Sequence, residues 1–366
     1  MKLYGTMGPA CATKEILMDM LREGICGMRL NLSHVSLEES REKIAAYRAA
    51  CEELGAEMDL MIDLQGPEAR TGFLKKPIKV FPGDLAVLRA RNHEEEHPVV
   101  RVGPRVLEKV EKGDIIDLQD GKIRFEVIEE LEETEYPQRV LDEIEERRNA
   151  GEEIDEQELA GWRKRFLLRT IYGGIVSGQK NVRVEGKELR GEAVAPMDRV
   201  NLDLAGELGV TSIMQPFVRS GDDLRAVRAE LEARNLSCRI FAKIESKTGL
   251  NNLQSIMDEA DVVVIARGDL GTAVEPWELP RVQKEIAEKC RNAGKPFMVV
   301  THMLQSMTIH PTATRAEALD IFNAVLDGAD YLMLTAETSI GKYPVEACRM
   351  LSRTAKEAEN YLQSRP

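Results

Sequence analysis

Short apolar segments that close on a charged or hydroxyl-bearing residue recur along the chain, at residues 3–6, 26–31, 57–63, 212–219, 239–245, 261–269, 297–301 and 331–337. They predict eight strands. The stretches between most of them carry helical period instead. Residues 13–23 place Ile16, Leu17, Met20 and Leu21 on one face, with Thr13 as the cap and Gly24 as the stop. Residues 37–54, 222–234, 249–259, 280–293, 314–326 and 344–361 continue the alternation. Strand and helix repeated this often imply parallel strands with helices outside, an α/β chain whose strands close into a (β/α)8 TIM barrel.

One long interruption follows the third strand. Between Gly72 and about Arg183 the pattern changes to short strands and turns: 78–81 before Pro82-Gly83-Asp84, 114–118 before Gln119-Asp120-Gly121, and 122–128. The expected domains are a first barrel part at 1–71, an inserted β-rich lid domain at 72–183 and a second barrel part at 184–366. Within the insertion, residues 131–168 are dense in Glu and Arg, with Val140, Leu141, Ile144, Leu159, Trp162 and Phe166 as sparse apolar positions. That spacing predicts a charged helical hairpin, either a solvated decoration, a partner surface or a brace for the lid.

Composition narrows the class. The 366 residues, 43% of them hydrophobic, are enough for a barrel core and an appended module. A net charge of -13 and 5% aromatic residues argue against a nucleic-acid surface, which needs a basic footprint and stacking platforms. No apolar run approaches the roughly 20 residues that span a bilayer, and no signal peptide is visible, so a cytoplasmic, non-membrane protein is expected. The six cysteines show no CxxC pair and are expected to be buried thiols.

In a closed parallel barrel the C-terminal rim carries the chemistry. The segment ends therefore gather Arg29, Asn31, Asp63, Lys243, Glu245, Asp269 and Thr301 around one cavity. Lys243 and Glu245, two apart on a strand, share a face. Inward charges are rarely left unpaired, so the two form a structural ion pair or serve a ligand and a metal. Asp269, flanked by Gly268 and Gly271, joins Glu245 as an oxygen donor suited to Mg²⁺ or Mn²⁺.

Several long motifs then stand in order: Arg29-Leu30-Asn31-Leu32-Ser33-His34, Asp63-Leu64-Gln65-Gly66-Pro67-Glu68-Ala69-Arg70-Thr71-Gly72, Lys243-Ile244-Glu245, Ala266-Arg267-Gly268-Asp269-Leu270-Gly271 and Thr301-His302-Met303-Leu304-Gln305-Ser306-Met307. Together they resemble the pyruvate kinase family. The resemblance implies phosphoryl transfer from phosphoenolpyruvate to ADP, giving pyruvate and ATP. It makes Glu245 and Asp269 the divalent-metal ligands, and Lys243 the residue that steadies the phosphoryl group and enolate oxygen. Arg29, helped by Arg70, resembles the phosphate-binding arginine, Thr301 the hydroxyl near the enolate carbon, and the Gly268-Asp269 backbone the carboxylate seat. Asn31, Ser33, Asp63 and the Leu64 backbone resemble a K⁺ site, and Glu68 matches members that require K⁺. His34 and Lys180 resemble nucleotide-binding residues.

The sequence departs from the family pattern at Gln65, where Lys is usual, at Val35, at His302 and in Lys180-Asn181-Val182-Arg183-Val184-Glu185-Gly186. It also ends just after the last barrel helix, where relatives continue with a regulatory α/β domain, so control by that route is not expected; a homo-oligomer is left open. Two other readings stand beside the first. One is a metal-dependent enolate enzyme, a lyase or decarboxylase-like activity on another 2-oxo acid without nucleotide. The other is a non-catalytic ligand-binding regulatory or scaffold protein.

Overall fold

The computed structural model describes residues 1–33, 35–67, 69–72, 74, 76–90, 95–119, 121–131, 163–178, 180–187, 189 and 191–364, with the backbone alone at Arg105. They form two compact units, one of Met1–Gly66 with Ala193–Pro366 and the other of Pro67–Glu192. No helix among the described residues is long and apolar enough to cross a membrane.

The first unit is a closed barrel of eight parallel strands: β1 (Lys2–Thr6), β2 (Gly27–Asn31), β3 (Leu60–Asp63), β12 (Ser212–Gln215), β13 (Arg239–Ile244), β14 (Val262–Ala266), β15 (Phe297–Val300) and β16 (Tyr331–Met333). Val, Ile, Leu and Met dominate these runs, as strands buried on both faces require. Alternation divides their side chains into two sets. Leu3, Met28, Leu30, Leu60, Ile62, Ile213, Ile240 and Ile244 pack with the outer helices in the large core. Tyr4, Met61, Met214, Phe241, Val264, Met298, Tyr331 and Met333 form a separate cluster, the filling of the barrel itself. Thr6, Arg29, Asn31, Asp63 and Lys243 continue the inward parity to the C-terminal rim.

The helices begin where their caps dictate. Thr13 accepts from the Ile16 N–H at the start of Lys14–Arg22, and Thr314 and Glu317 form a reciprocal capping box at the start of Arg315–Leu326. Three expected strands are too long at their C-terminal ends: β12 stops at Gln215 rather than at 219, and two others run into helices. Residues 267–269 belong to the helix Arg267–Ala273 and Glu337 to Ala336–Ser339, because the chain turns into a helix at once after β14 and soon after β16.

The strands of the second unit are β4 (Ile78–Val80), β5 (Leu85–Arg89), β6 (Val99–Arg101), β7 (Ile115–Leu118), β8 (Ile123–Leu131), β9 (Arg165–Tyr172), β10 (Gly174–Val176) and β11 (Val182–Val184). They form a six-stranded sheet in the order β11-β7-β8-β9-β5-β6 and a two-stranded sheet β10-β4. The expected hairpin at 131–168 lies mostly outside the described residues. At its ends the structure corrects it: Leu131 closes β8, and residues 165–168 open β9, where Phe166 and Leu168 alternate into the core as strand residues.

Candidate active site

At the rim of the barrel, one carboxylate organises two cations. Asp63, at the end of β3, is 2% exposed and accepts through Oδ2 from Arg29 Nε at 2.9 Å, from a terminal nitrogen of the same guanidinium and from Lys243 Nζ at 3.4 Å. Arg29 also donates to the Thr6 hydroxyl at 3.2 Å. Strand register explains the meeting: β2 pairs β3 with Asn31 opposite Asp63, so Arg29 lies two residues below on the same inward face.

Lys243 reaches in the other direction to Glu245 Oε1 at 2.9 Å. The second Glu245 oxygen accepts from the Phe217 backbone N–H at 2.7 Å, offered by a residue with φ +48°. Burial pushes the Glu245 carboxyl up to about 7, against the opposing pull of Lys243 and with the help of nearby Asp269. Burial also works against the Lys243 ammonium, yet Asp63 and Glu245 outweigh it and hold the amine protonated well above its ordinary range.

Asp269 lies in the first turn of Arg267–Ala273, one residue after Gly268. A Cβ at Gly268 would stand 3.1 Å from the Thr301 methyl, so glycine permits the helix start and the end of β15 to approach. Thr301 and His302 both adopt left-handed backbone, at φ +74° and +56°. That is an uncommon conformation for a β-branched residue.

Asn31 and Ser33 are linked by the Ser33 N–H, which donates to Asn31 Oδ1 at 3.1 Å. Among the described residues Asp63 Oδ1, which is buried, has no hydrogen-bond partner. Leu64 donates its N–H to the Met214 carbonyl. In the other unit Arg70 and Lys180 are close in the chain's pairing: Arg70 bridges Asn181, and Thr71 donates to the Lys180 carbonyl at 2.7 Å. His34 and Glu68 lie outside the described residues.

The structure thus brings Arg29, Asp63, Lys243 and Glu245 into one hydrogen-bonded group, and Gly268 against Thr301. Among the described residues no cluster of three or more His, Cys, Asp or Glu side chains is arranged to hold a metal, so Glu245 and Asp269 offer a pair of carboxylates. Hard oxygen donors of this kind fit Mg²⁺ or Mn²⁺, which commonly take one or two carboxylates and complete the shell with water and substrate phosphate. The orphaned Asp63 Oδ1, with Asn31 and Ser33 on the neighbouring strand end, fits a cation that accepts oxygen ligands. Two contributors escaped the sequence reading. Arg267 is 9% exposed and holds the Thr301 carbonyl, and Phe217 lends its N–H to Glu245. Arg267 stood inside a quoted motif, but no local pattern announces which carbonyl it holds.

Comparison with known proteins agrees with this geometry. Residues 1–151 and 152–348 match the family described as pyruvate kinase, barrel domain. A pyruvate kinase of Thermococcus litoralis is 35% identical over 365 residues, covering 99% of this chain and 70% of that protein. One from Thermotoga maritima is 33% identical over 366 residues, covering 99% and 72%. Among solved structures, a Cryptosporidium parvum pyruvate kinase matches with a TM-score of 0.81 and 28% identity, over 98% of this chain and 70% of that one. With the family matched along nearly the whole barrel chain and its motifs meeting at one rim, this protein belongs to the pyruvate kinase family.

Proposed function

We propose that the chain transfers the phosphoryl group of phosphoenolpyruvate to ADP and yields pyruvate and ATP. The observation that carries this reading is Lys243, held between Asp63 and Glu245 at the rim of the barrel. In the reaction the bond between phosphorus and the enol oxygen breaks, a bond to a terminal oxygen of ADP forms, and the enolate carbon takes up a proton.

Each step has a residue suited to it. Lys243, charged in spite of its burial, steadies the negative charge that spreads over the phosphoryl and enolate oxygens. Arg29, aimed by Asp63, binds the phosphoryl group, with Arg70 as a second arginine. The N–H groups at Gly268 and Asp269 receive the substrate carboxylate, and the Thr301 hydroxyl stands on the proton path. His34 and Lys180 are assigned to the nucleotide. Glu245 and Asp269 would hold Mg²⁺ or Mn²⁺, and Asn31, Ser33, Asp63 and the Leu64 carbonyl K⁺. When bound, these cations neutralise charge on the transferring oxygens.

The test is direct: the purified protein, given phosphoenolpyruvate, ADP, Mg²⁺ and K⁺, forms pyruvate. Absence of turnover across several nucleoside diphosphates, divalent metals and K⁺ concentrations sinks the reading. Metal-dependent exchange of the pyruvate methyl protons without nucleotide phosphorylation would favour the lyase-like alternative.

A further inference from the structure

The first turn of the helix Pro196–Leu208 holds segments from distant parts of the barrel unit. Asp198, fully buried, accepts from the backbone N–H of Gln65 at 2.7 Å, of Gly66 at 2.9 Å and of Ala195 at 3.0 Å. One helical turn on, buried Asn201 accepts from the Leu37 N–H at 2.8 Å. Packing fixes the same turn, because Gly66 has φ +61° and a Cβ there would lie 2.6 Å from the Pro216 ring.

Gln65 extends this hold to the residues assigned to K⁺. Its side-chain amide donates to the Leu32 carbonyl at 3.0 Å. That carbonyl and the Ser33 N–H belong to one peptide group, which is planar and rigid. The Ser33 N–H in turn donates to Asn31 Oδ1 at 3.1 Å. Turning the Leu32–Ser33 plane would therefore turn the group that orients the Asn31 oxygen. The loop is held at Leu32 by Gln65 and at Leu37 by Asn201, both from outside the assigned ligands.

We propose that Gln65, anchored through its backbone by Asp198, is a positioning residue for the monovalent cation: it fixes the Leu32–Ser33 peptide plane and so sets the affinity for K⁺. This rests on the cation reading above. It differs from that reading in placing the control on a residue that does not touch the ion. Partners one layer out from a metal's ligands typically change its affinity by about 10–100-fold when lost.

The experiment compares wild type with Gln65→Met, which keeps the length of the side chain and removes its donor, and with Gln65→Lys, which restores a donor. Two readouts are taken against K⁺, the rate of pyruvate formation and the rise in melting temperature relative to a tetramethylammonium control. The expected result is a K⁺ half-saturation about tenfold higher in Gln65→Met in both readouts. The rate at saturating K⁺ stays within about twofold of wild type, and Gln65→Lys recovers most of the affinity. A half-saturation that Gln65→Met leaves unmoved overturns the proposal, as does a wild type that turns over and melts without regard to K⁺. A wild type that responds to K⁺ in melting but makes no pyruvate overturns the kinase reading instead, and the melting data then decide the role of Gln65.

Discussion

Arg267 donates to the main-chain carbonyl of Thr301 from two nitrogens, at 3.1 and 2.8 Å, while its third nitrogen pairs with Asp320 at 2.7 Å. The residue it grips is the left-handed Thr301, followed by left-handed His302. A conformation of this kind costs on the order of 1–3 kcal/mol and persists only where its surroundings impose it. Arg267 therefore holds the Thr301 backbone in this conformation.

Replacing it tests that hold. In Arg267→Lys an ammonium keeps the charge near Asp320 but cannot present the planar fork to one carbonyl. Turnover is expected to fall about 10–100-fold with the KM for phosphoenolpyruvate changed less than about threefold, because the role proposed for Thr301 is at the reacting carbon rather than in binding. Steady-state kinetics with denaturant melts check both; a proportional rise in KM with unchanged kcat would contradict it.

Lys243→Met removes the cation between two buried carboxylates. Pyruvate formation is expected to drop by about a thousandfold or more, as for loss of a central electrostatic stabiliser. Arg29 still neutralises Asp63, but Glu245 loses its ammonium partner and becomes easier to protonate. The carboxyl, raised already in wild type, is raised further in the variant. A raised acid contributes stability that is fully present below its unfolded value and lost as pH climbs to the folded value, so the variant should lose stability relative to wild type as pH rises above about 7, where the wild-type carboxyl has already titrated. Paired urea melts in metal-free buffer would show this, and parallel curves for the two proteins would refute it.

Glu317 gives the opposite pH dependence. Burial works against its carboxylate, but hydrogen bonds from the Ser306 and Thr314 hydroxyls and backbone N–H groups outweigh burial and carry its pKa below the ordinary 4.5. Its contribution is present above the unfolded value and lost as pH falls through the lower folded one. Glu317→Gln should cost about 1–3 kcal/mol at neutral pH and progressively less under acid. The measurement is the difference in unfolding free energy between the two proteins at about pH 7 and about pH 3.5, and an equal difference at both would remove the carboxylate from the account.

Gly27→Ala probes the floor of the barrel. Its Cβ would fall 2.2 Å from the Tyr4 ring, which is fully buried, tilted against Phe241 and Tyr331, and hydrogen-bonded to Asp59. Overpacking of a well-filled site costs about 1–3 kcal/mol and here has no flexible end to yield. Gly55→Ala is the control, since nothing lies within 4 Å of its Cβ and only its φ of +62° is strained. Chemical denaturation should rank Gly27→Ala as the more damaging; the reverse order would mean that the floor can repack.

Much of the barrel was legible because alternation and polar strand ends are local signals. Asp63, Lys243 and Glu245 announced themselves as charges ending apolar runs. The ends of β14 and β16 were misread because nothing in apolarity marks where a strand gives way to a helix, at once at Arg267 and after two residues at Ala336. The helix Pro196–Leu208 and the strand Arg165–Tyr172 were missed for a related reason: Arg, Asp and Asn among their apolar positions weaken the periodic signal. Contacts such as Gln65 with Asp198 span 133 positions and depend on which loops the closed barrel brings together, so no window along the chain contains them.

The barrel's closure has a consequence for how the chain acquires its shape. β1 pairs with β16, and the Thr6 N–H is satisfied by the Thr338 hydroxyl, 332 positions away. The first strand to leave the ribosome cannot find one of its two neighbours until the last strand exists. β3 likewise waits for β12, across the whole of Pro67–Glu192. The inserted unit draws its sheet pairings from its own residues, whereas two barrel strands, β1 and β3, each stay short of one neighbour while it is made. Long-range closure of this kind folds slowly and leaves strand edges open in the meantime. Aggregation during synthesis, more than instability of the finished barrel, is thus the hazard this topology carries.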